Sequence, residues 1–479
     1  MTILFVCVES QCTSVVYGVD RIHKNEHSVQ KLFALTSEKN ALIVGPQCSP
    51  LRLLVRSNSR TFHRGERFVF WAWFFFILLL VCWLRWLALL LFAGLHIRRH
   101  RKPTLQNIAH TRADWPKISI LIPAYNEQDV IAHTLDTFIT PAYPQLEVFA
   151  IDDGSTDQTA HILREYGDTY PHIHPIIMPQ NGGKSEALNA GIAQSTSDIV
   201  ITMDADTLLD QHALFYIAEA FDDPSISAVA CNIKLGNRHN ALTLWQSIEY
   251  ITSINIERRA QSLFHCITTL PGAASGYRRA ALQDVGGFSS DTVTEDADIT
   301  LCLLTKGHKL YYEERAIAWT EAPEKTYDLF KQRVRWITGC FQCLWKHRLA
   351  WYHTPMPAFR WFGFPNLLFL NTAILIFLPI FIYHIVTLCF AFSITGLLFV
   401  STLFLPDLVC SVCGYHFDRE DMGELRHFVT QRFFYMGFFG YIFLVIGARA
   451  LAGSKTKWNK LPRSGTWMET STSSSPPSS

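Results

Sequence analysis

The 479-residue sequence has almost no net charge: 42 Lys and Arg stand against 41 Asp and Glu, a formal +1 at pH 7. No basic domain emerges beyond short clusters beside apolar segments, so the electrostatic pull of a nucleic-acid binder is missing and nucleic acid is not an expected partner. Cysteine is scattered. The twelve cysteines lack the dense spacing of a small disulfide scaffold and are read as mostly reduced. Cys340/Cys343 and Cys410/Cys413 have CxxC spacing, and His416 lies near the second pair. Each pair sits beside or within an apolar helical pattern with no second ligand pair at a usable distance, so these cysteines read as small hydrophobes rather than zinc ligands. A GxxxxGK[ST] loop is absent, which disfavours a phosphate-transferring NTPase. Residues 1–66 hold no apolar stretch as long as a signal-peptide core, and no function can be read there.

Apolar residues, by contrast, are abundant: 49 % of the chain, with mean hydropathy +0.13, more than a soluble enzyme of this size usually carries. From Phe68 to Leu95 runs an apolar stretch interrupted only by Arg85, longer than the roughly 20 residues that span a bilayer. A transmembrane helix is therefore expected over 67–96, with Arg85 snorkelling or facing another helix. The basic run from His96 to Lys102 favours a cytoplasmic position for that end and so a cytosolic domain after it. A C-terminal membrane region is expected over 357–452, with candidate spans near 364–383, 385–405 and 433–451. Three crossings would put the basic tail after Gly453 outside, against the positive-inside tendency, which points to one interfacial or re-entrant segment. The tail, 453–479, is basic and then Ser/Pro-rich, and beyond Thr470 it lacks the apolar residues to fold.

Between these regions, over 115–348, the texture is that of an α/β domain: short β-branched or apolar runs separated by Gly/Asp/Asn/Ser turns and helical patterns. Ile118–Ile122, Leu146–Ile151 and Ile199–Met203 read as strands, each ending where polar residues begin. Ligands of doubly wound sheets bind at such strand ends. The first strand leads into Pro123-Ala-Tyr-Asn-Glu127 and the second into Asp152-Asp-Gly-Ser-Thr-Asp157. Asp152 and Asp153 are placed to accept hydrogen bonds from a ribose or base, and Gly154 permits close backbone approach, although such clusters also make ordinary turns. The third strand leads into Asp204-Ala-Asp206, two carboxylates that suit a hard cation, Mg²⁺ or Mn²⁺, together with phosphate oxygens. In Asn181-Gly-Gly-Lys-Ser-Glu-Ala-Leu-Asn189 two glycines precede Lys184 at a helix start, a geometry suited to an anion. Thr294-Glu-Asp-Ala-Asp298 reads either as a capped helix start or as the place of a general base, Asp296, for a sugar hydroxyl. In Gln332-Arg-Val-Arg-Trp336 the arginines can clamp a diphosphate and the tryptophan can stack on a sugar ring; a membrane-interface helix is the plainer reading.

Taken in order, PAYNE, DDGS, NGGKSEALN, DAD, TED and QRVRW resemble the processive family 2 glycosyltransferases, the D, D, D, QxxRW group of cellulose, chitin, hyaluronan and poly-N-acetylglucosamine synthases. The likeness covers roughly residues 116–348 and is strongest to the bacterial poly-β-1,6-N-acetylglucosamine synthases. It implies a Rossmann-like α/β GT-A domain flanked by transmembrane helices, in a multi-pass protein of the plasma (bacterial inner) membrane. It further implies a UDP-sugar donor, best matched by UDP-N-acetylglucosamine, a polysaccharide acceptor, inversion at the anomeric carbon, and Mg²⁺ or Mn²⁺ held by Asp204 and Asp206. Donor-binding residues are then Pro123, Tyr125, Asn126, Glu127, Asp152, Asp153, Lys184 and Asp204, with Asp153 at the uridine and Asp296 as the base. Gly276, Tyr277, Glu295, Gln332, Arg333, Arg335 and Trp336 fall on the acceptor and diphosphate side. The chain has fewer spans than the large cellulose synthases, which makes a small membrane or export subunit a candidate partner. A β-glucan synthase using UDP-glucose, a non-processive transferase acting on a lipid carrier, and a silent membrane subunit are the alternatives. QRVRW argues against the second, and the complete carboxylate set against the third.

Overall fold

The computed structural model describes residues 5–8, 11–14, 59–100, 108–110, 112–391, 394–453, 465, 467 and 468, in two units divided after Val81. The first unit contains an antiparallel hairpin, β1 (Phe5–Val8) and β2 (Gln11–Ser14), with Cys7 opposite Cys12. It also contains the start of helix α1 (Ser59–His100).

The second unit is built on one mixed eight-stranded sheet. Its strands are β3 (Ile118–Ala124), β4 (Leu146–Asp152), β5 (Ile173–Ile177), β6 (Ile199–Met203), β7 (Leu208–Leu209), β8 (Ile226–Leu235), β9 (Ala274–Arg278) and β10 (Lys309–Thr320), in the order β5-β4-β3-β6-β9-β8-β10-β7. The three strands read from the sequence are all present, two of them slightly longer than expected. Near-continuous apolar runs form them because both faces of the sheet are covered. Alternate residues divide cleanly between the faces: Ile118, Ile120 and Ile122 join Val148, Ile201 and Phe215 in one core, and Leu121 joins Phe149, Val200 and Leu188 in the other. Helix α2 (Lys184–Gln194) lies on the second face, where a Cβ at Gly191 would come within 2.8 Å of Ile151 and 2.9 Å of Leu121.

Two features of topology set the site. The chain runs from β3 outward through β4 to β5 and then returns to β6 on the other side of β3, so the strand order reverses at β3 and a crevice opens at the C-terminal ends of these strands. Next to β6, β9 is antiparallel, with Ala274 opposite Met203 and Arg278 opposite Ile199. The start of β9 therefore reaches the crevice, and its end lies at the far edge.

Below the sheet edge stand α3 (Ile256–Ser262), which continues a π-helical turn over Tyr250–Asn255, then α4 (Glu295–Lys306) and α5 (Thr326–Lys346). The C-terminal apolar segments form α6 (Phe364–Ala391), α7 (Ile394–Asp418) and α8 (Phe428–Leu451). The boundary expected near residue 384 falls instead between Ala391 and Ile394, because Tyr383-His-Ile385 offers neither Gly nor Pro to stop the first helix. Arg85 faces another helix: its Nε donates to Asn366 Oδ1 (2.7 Å) and its Nη2 lies 3.5 Å from Glu257. Among the described residues two stretches are long and apolar enough to cross a membrane, Leu79–His100 and Met422–Leu451.

Candidate active site

The crevice is furnished by strand ends. After β3 the backbone turns through Asn126, whose φ of 54° is the left-handed conformation that Asn tolerates. Asn126 Oδ1 accepts from the Thr156 amide (2.8 Å), while the Asn126 amide donates to Ser155 Oγ (2.8 Å) and the Glu127 amide to Thr159 Oγ1 (2.8 Å). The PAYNE and DDGS loops are thereby laced together, leaving Pro123, Tyr125, Asn126 and Glu127 half-buried.

Asp152 and Asp153 are both buried at the end of β4. Asp152 accepts from the Ser155 amide at 3.2 Å. The two oxygens of Asp153 accept the Gly182 (2.7 Å) and Gly183 (2.9 Å) amides at the N-terminus of α2, a site favourable to negative charge. Burial still raises the Asp153 carboxyl above its ordinary value, against the pull of those two amides. Gly154 (φ +68°) is required where it stands, since a Cβ there would lie 2.5 Å from Gln180 carbonyl carbon and 2.6 Å from the Asn181 nitrogen.

This clamp aims Lys184 across the crevice. Its Nζ lies 2.6 Å from Asp204 Oδ1 and 2.9 Å from Glu295 Oε1, tying α2, the end of β6 and α4 together. Burial alone would lower the lysine; Asp204 and Glu295 hold it above the ordinary range instead. Asp206, two residues on, is buried, with Thr207 and Thr320 hydroxyls 3.4 Å from its Oδ1.

Glu295 and Asp296 open α4 and titrate in opposite directions. Burial would raise Glu295, but Lys184 and Arg335 hold it below the ordinary glutamate range. Burial, and then the charge of Glu295, push Asp296 up to about 6. Asp296 Oδ1 accepts its own helix's Ala297 amide (2.8 Å), and Oδ2 accepts the Gly272 amide (3.2 Å). A side chain at Gly272 would intrude, its Cβ 3.1 Å from Asp296 Oδ2 and 3.3 Å from Lys184 Nζ.

Lys184, Asp204, Glu295, Asp296, Gln332, Arg335 and Trp336 all line one cavity of about 300 Å³. Pro123, Tyr125, Asn126, Glu127, Asp152, Asp153 and Asp206 stand at the strand ends outside that lining, and two further parts of the expected set lie elsewhere. Gly276 and Tyr277 sit inside the sheet, paired with Ile201 and Val200, because β9 runs antiparallel to β6; Gly272 and Ala273, before the strand, form the cavity wall. Arg333 also turns away. Successive helical residues rotate by about 100°, so Gln332, Arg335 and Trp336 share the cavity face and Arg333 does not. Arg333 is buried against Glu249 (2.7 Å) with its guanidinium 4.1 Å from the Trp336 ring centre, so it braces the tryptophan from behind rather than clamping a diphosphate.

Three features had no place in the sequence reading. Asp298 binds His347 (2.9 Å) and Lys346 (2.8 Å), pinning α4 to the end of α5, and Cys302 Sγ lies 3.9 Å from His347 Nε2. Trp467 and Met468 pack with Val130 and Leu208 beside the crevice, and the Gly465 amide donates to Glu321 Oε2 (3.1 Å), a carboxylate of the cavity wall. Arg258 also reaches that wall. Only TEDAD carried a usable hint of the first: Asp296 and Asp298, two residues apart on a helix, face nearly opposite ways.

The glycosyl transferase family 2 model matches residues 119–286. A poly-beta-1,6-N-acetyl-D-glucosamine synthase of Staphylococcus epidermidis is 37 % identical over 228 residues, which is 47 % of this chain and 55 % of that protein. The synthase of Staphylococcus aureus strain MSSA476 is 36 % identical over 228 residues, with the same coverage of 47 % and 55 %. The chain thus spans little more than half the length of the curated relatives it matches. Among solved structures, a mannosyltransferase of Pyrobaculum calidifontis in complex with GDP-Man and Mn²⁺ aligns over 72 % of this chain and 98 % of that one, at 21 % identity and a TM-score of 0.47. With the mixed sheet and its carboxylate-lined crevice, the family match identifies residues 119–286 as a glycosyl transferase family 2 domain.

Proposed function

We propose that the chain transfers N-acetylglucosamine from UDP-N-acetylglucosamine to the end of a growing polysaccharide, with inversion, in the cavity between Lys184 and Trp336. The observation that carries this is the cavity's geometry: Asp296 and Glu295 open α4 beside Lys184, whose Nζ lies 2.9 Å from Glu295 and 2.6 Å from Asp204, and burial with the charge of Glu295 pushes Asp296 up to about 6. A base with that pKa is matched to proton abstraction near neutrality. Asp296 takes the proton of the acceptor hydroxyl as that oxygen bonds to the anomeric carbon. The bond to the diphosphate breaks on the opposite side, and its electron pair stays on the leaving oxygen. Lys184 and Arg335 place positive charge around that leaving group. Trp336, braced by Arg333, offers a face on which the acceptor sugar stacks. The sugar assignment leans on the names of the relatives.

The cavity fits a divalent cation. Its lining, Asp204 included, carries more carboxylates than cations, and Asp206, buried two residues on and outside that lining, adds a second hard oxygen donor of the type Mg²⁺ and Mn²⁺ prefer. Asp206 and Asp204 Oδ2 would hold it, since Lys184 engages Asp204 Oδ1. When bound, the ion offsets charge developing on the leaving diphosphate.

We further propose that the chain sits in a membrane through the apolar stretches Leu79–His100 and Met422–Leu451, with the glycosyl transferase domain on the cytosolic side. Ile442 of α8 is buried with Val334 and Ile337 of α5, which ties the second stretch to the helix that carries Trp336.

The test is donor competition. With the full chain in bilayers and Mn²⁺, UDP release in the presence of acceptor should be at least about tenfold faster from UDP-N-acetylglucosamine than from UDP-glucose, the discrimination of one well-used polar contact. Equal or faster release from UDP-glucose would overturn the sugar assignment and favour a β-glucan synthase.

A further inference from the structure

The cavity that holds Asp296 has a second wall, made by the π-helical turn Tyr250–Asn255, α3 and α6. Tyr250, Ile254, Arg258 and Gln261 line it at the spacing of one helical face. A π-turn within a helix recurs at functional sites, where it re-aims the residues that follow. Most polar side chains of this wall are engaged with one another. Gln261 Nε2 donates to Glu257 Oε1 (3.1 Å) and Thr268 Oγ1 (3.1 Å), and Glu257 also faces Arg85 (3.5 Å).

Arg258 is the exception. It is 8 % exposed, and among the described residues its guanidinium makes no hydrogen bond or ion pair; Nη1 is fully withdrawn from water. The adjacent Arg259 shows the contrast, paired with Asp418 (2.6 Å) and Glu314 (2.9 Å). Burial pulls the Arg258 guanidinium below the ordinary arginine range. A buried cation without a partner is costly unless a ligand completes it. The cavity lining sets three cations, Lys184, Arg258 and Arg335, against five carboxylates. With the divalent cation proposed above, these charges balance, which suits a neutral acceptor rich in oxygen. Arginine has donors only, fixed in a planar fork, and a carbonyl oxygen with two lone pairs is the matching group.

We propose that Arg258 binds the acceptor and sets its specificity, its guanidinium donating to the acetamido carbonyl of the sugar whose hydroxyl faces Asp296. The inference rests on the reading of this cavity as the transfer site for an N-acetylglucosamine polymer. A plain glucan offers only a shorter hydroxyl in place of the acetamido carbonyl, and a site built to hydrogen-bond a group rejects the analogue that lacks it.

Full-length protein in bilayers is titrated calorimetrically with an N-acetylglucosamine tetramer, a glucose tetramer and UDP, for the wild type, Arg258→Leu and Arg258→Lys. Wild type should bind the acetylated tetramer at least about tenfold more tightly than the glucose tetramer, the worth of one hydrogen bond to a charged group. Arg258→Leu should lose that preference and keep its UDP affinity within about twofold, with Arg258→Lys between the two. A preference that survives in the leucine variant overturns the proposal, as does a wild type with no preference. If Arg258→Leu loses UDP binding as well, Arg258→Lys decides: a reduced preference with normal UDP affinity supports the role, and an unchanged preference refutes it. Because these are binding measurements, failure of sugar transfer from UDP-N-acetylglucosamine would refute the proposed function without deciding the role of Arg258.

Discussion

Replacing Asp296 with Asn tests the proposed chemistry with the least disturbance of structure. The amide is isosteric, and its one oxygen keeps one of the two backbone amides that Asp296 accepts on separate oxygens, Gly272 on Oδ2 at 3.2 Å and Ala297 on Oδ1 at 2.8 Å. What it loses is basicity. Removal of a positioned general base costs about 10²–10⁴-fold in rate, roughly 3–5 kcal/mol of barrier. Lys184, Asp204 and the Asp153 clamp are untouched, so UDP affinity should stay within about twofold of wild type. The pH profile supplies an independent check. With Asp296 at about 6, roughly one-tenth of the wild-type base is ionised at pH 5, so the rate should fall about tenfold per unit below that and level off above pH 7. Stability runs the other way. The folded pKa lies above the ordinary aspartate value, so the stabilising contribution of the neutral group is present at acid pH and is lost as pH rises through about 6. Asparagine stays neutral, so the variant's melting temperature should depend less on pH than the wild type's between pH 5 and 8, while it transfers almost nothing. The assay is radiolabelled sugar incorporation beside UDP titration calorimetry and thermal melts at pH 5–8. Transfer within tenfold of wild type, or a wild-type profile with no acidic limb, would refute the assignment of the base.

Lys184→Met should weaken UDP binding by at least about tenfold, the loss of a charge-assisted contact, and should move the acidic limb of the profile to higher pH, because Lys184 lowers Asp296; a limb that stays in place refutes the coupling. Asp298→Ala should lower the melting temperature and the turnover rate while leaving UDP affinity unchanged, since it unpins α4 from His347 and Lys346. Those partners hold Asp298 below the ordinary carboxylate range despite its burial, so the stability it contributes is present above that range and lost as pH falls through it, and the Ala variant should show a shallower acid transition. Chelation by EDTA should abolish transfer, and Mn²⁺ or Mg²⁺ should restore it; activity unaffected by chelation would remove Asp204 and Asp206 from a metal role.

Much of the fold is legible in local sequence because the strands β3, β4 and β6 are short apolar runs closed by polar residues, and such ends mark a ligand edge whatever the chain does elsewhere. Asp153 and Asp204 stand at those ends; Lys184 and Asp296 stand at helix starts, where the glycines before Lys184 and the acids after Thr294 are the signal. Strand direction is not local. Nothing in Pro271–Arg278 shows that β9 runs antiparallel to β6, and that direction moves the cavity wall from Tyr277 to Gly272. Helical phase is local: two arginines two residues apart point about 200° apart, which separates Arg333 from Arg335. Arg258, His347 and Trp467 depend on tertiary neighbours far along the chain, where no spacing rule operates.

The central claim is that this cavity lengthens an N-acetylglucosamine chain. The most direct test incubates the full-length protein, in bilayers with Mn²⁺, with radiolabelled UDP-N-acetylglucosamine, then sizes the product and determines its linkage by methylation. A labelled polymer of many residues with a single linkage, 1,6 as in the name of the staphylococcal relatives, is the predicted result. A single sugar on a lipid, or label only when UDP-glucose is the donor, would contradict it.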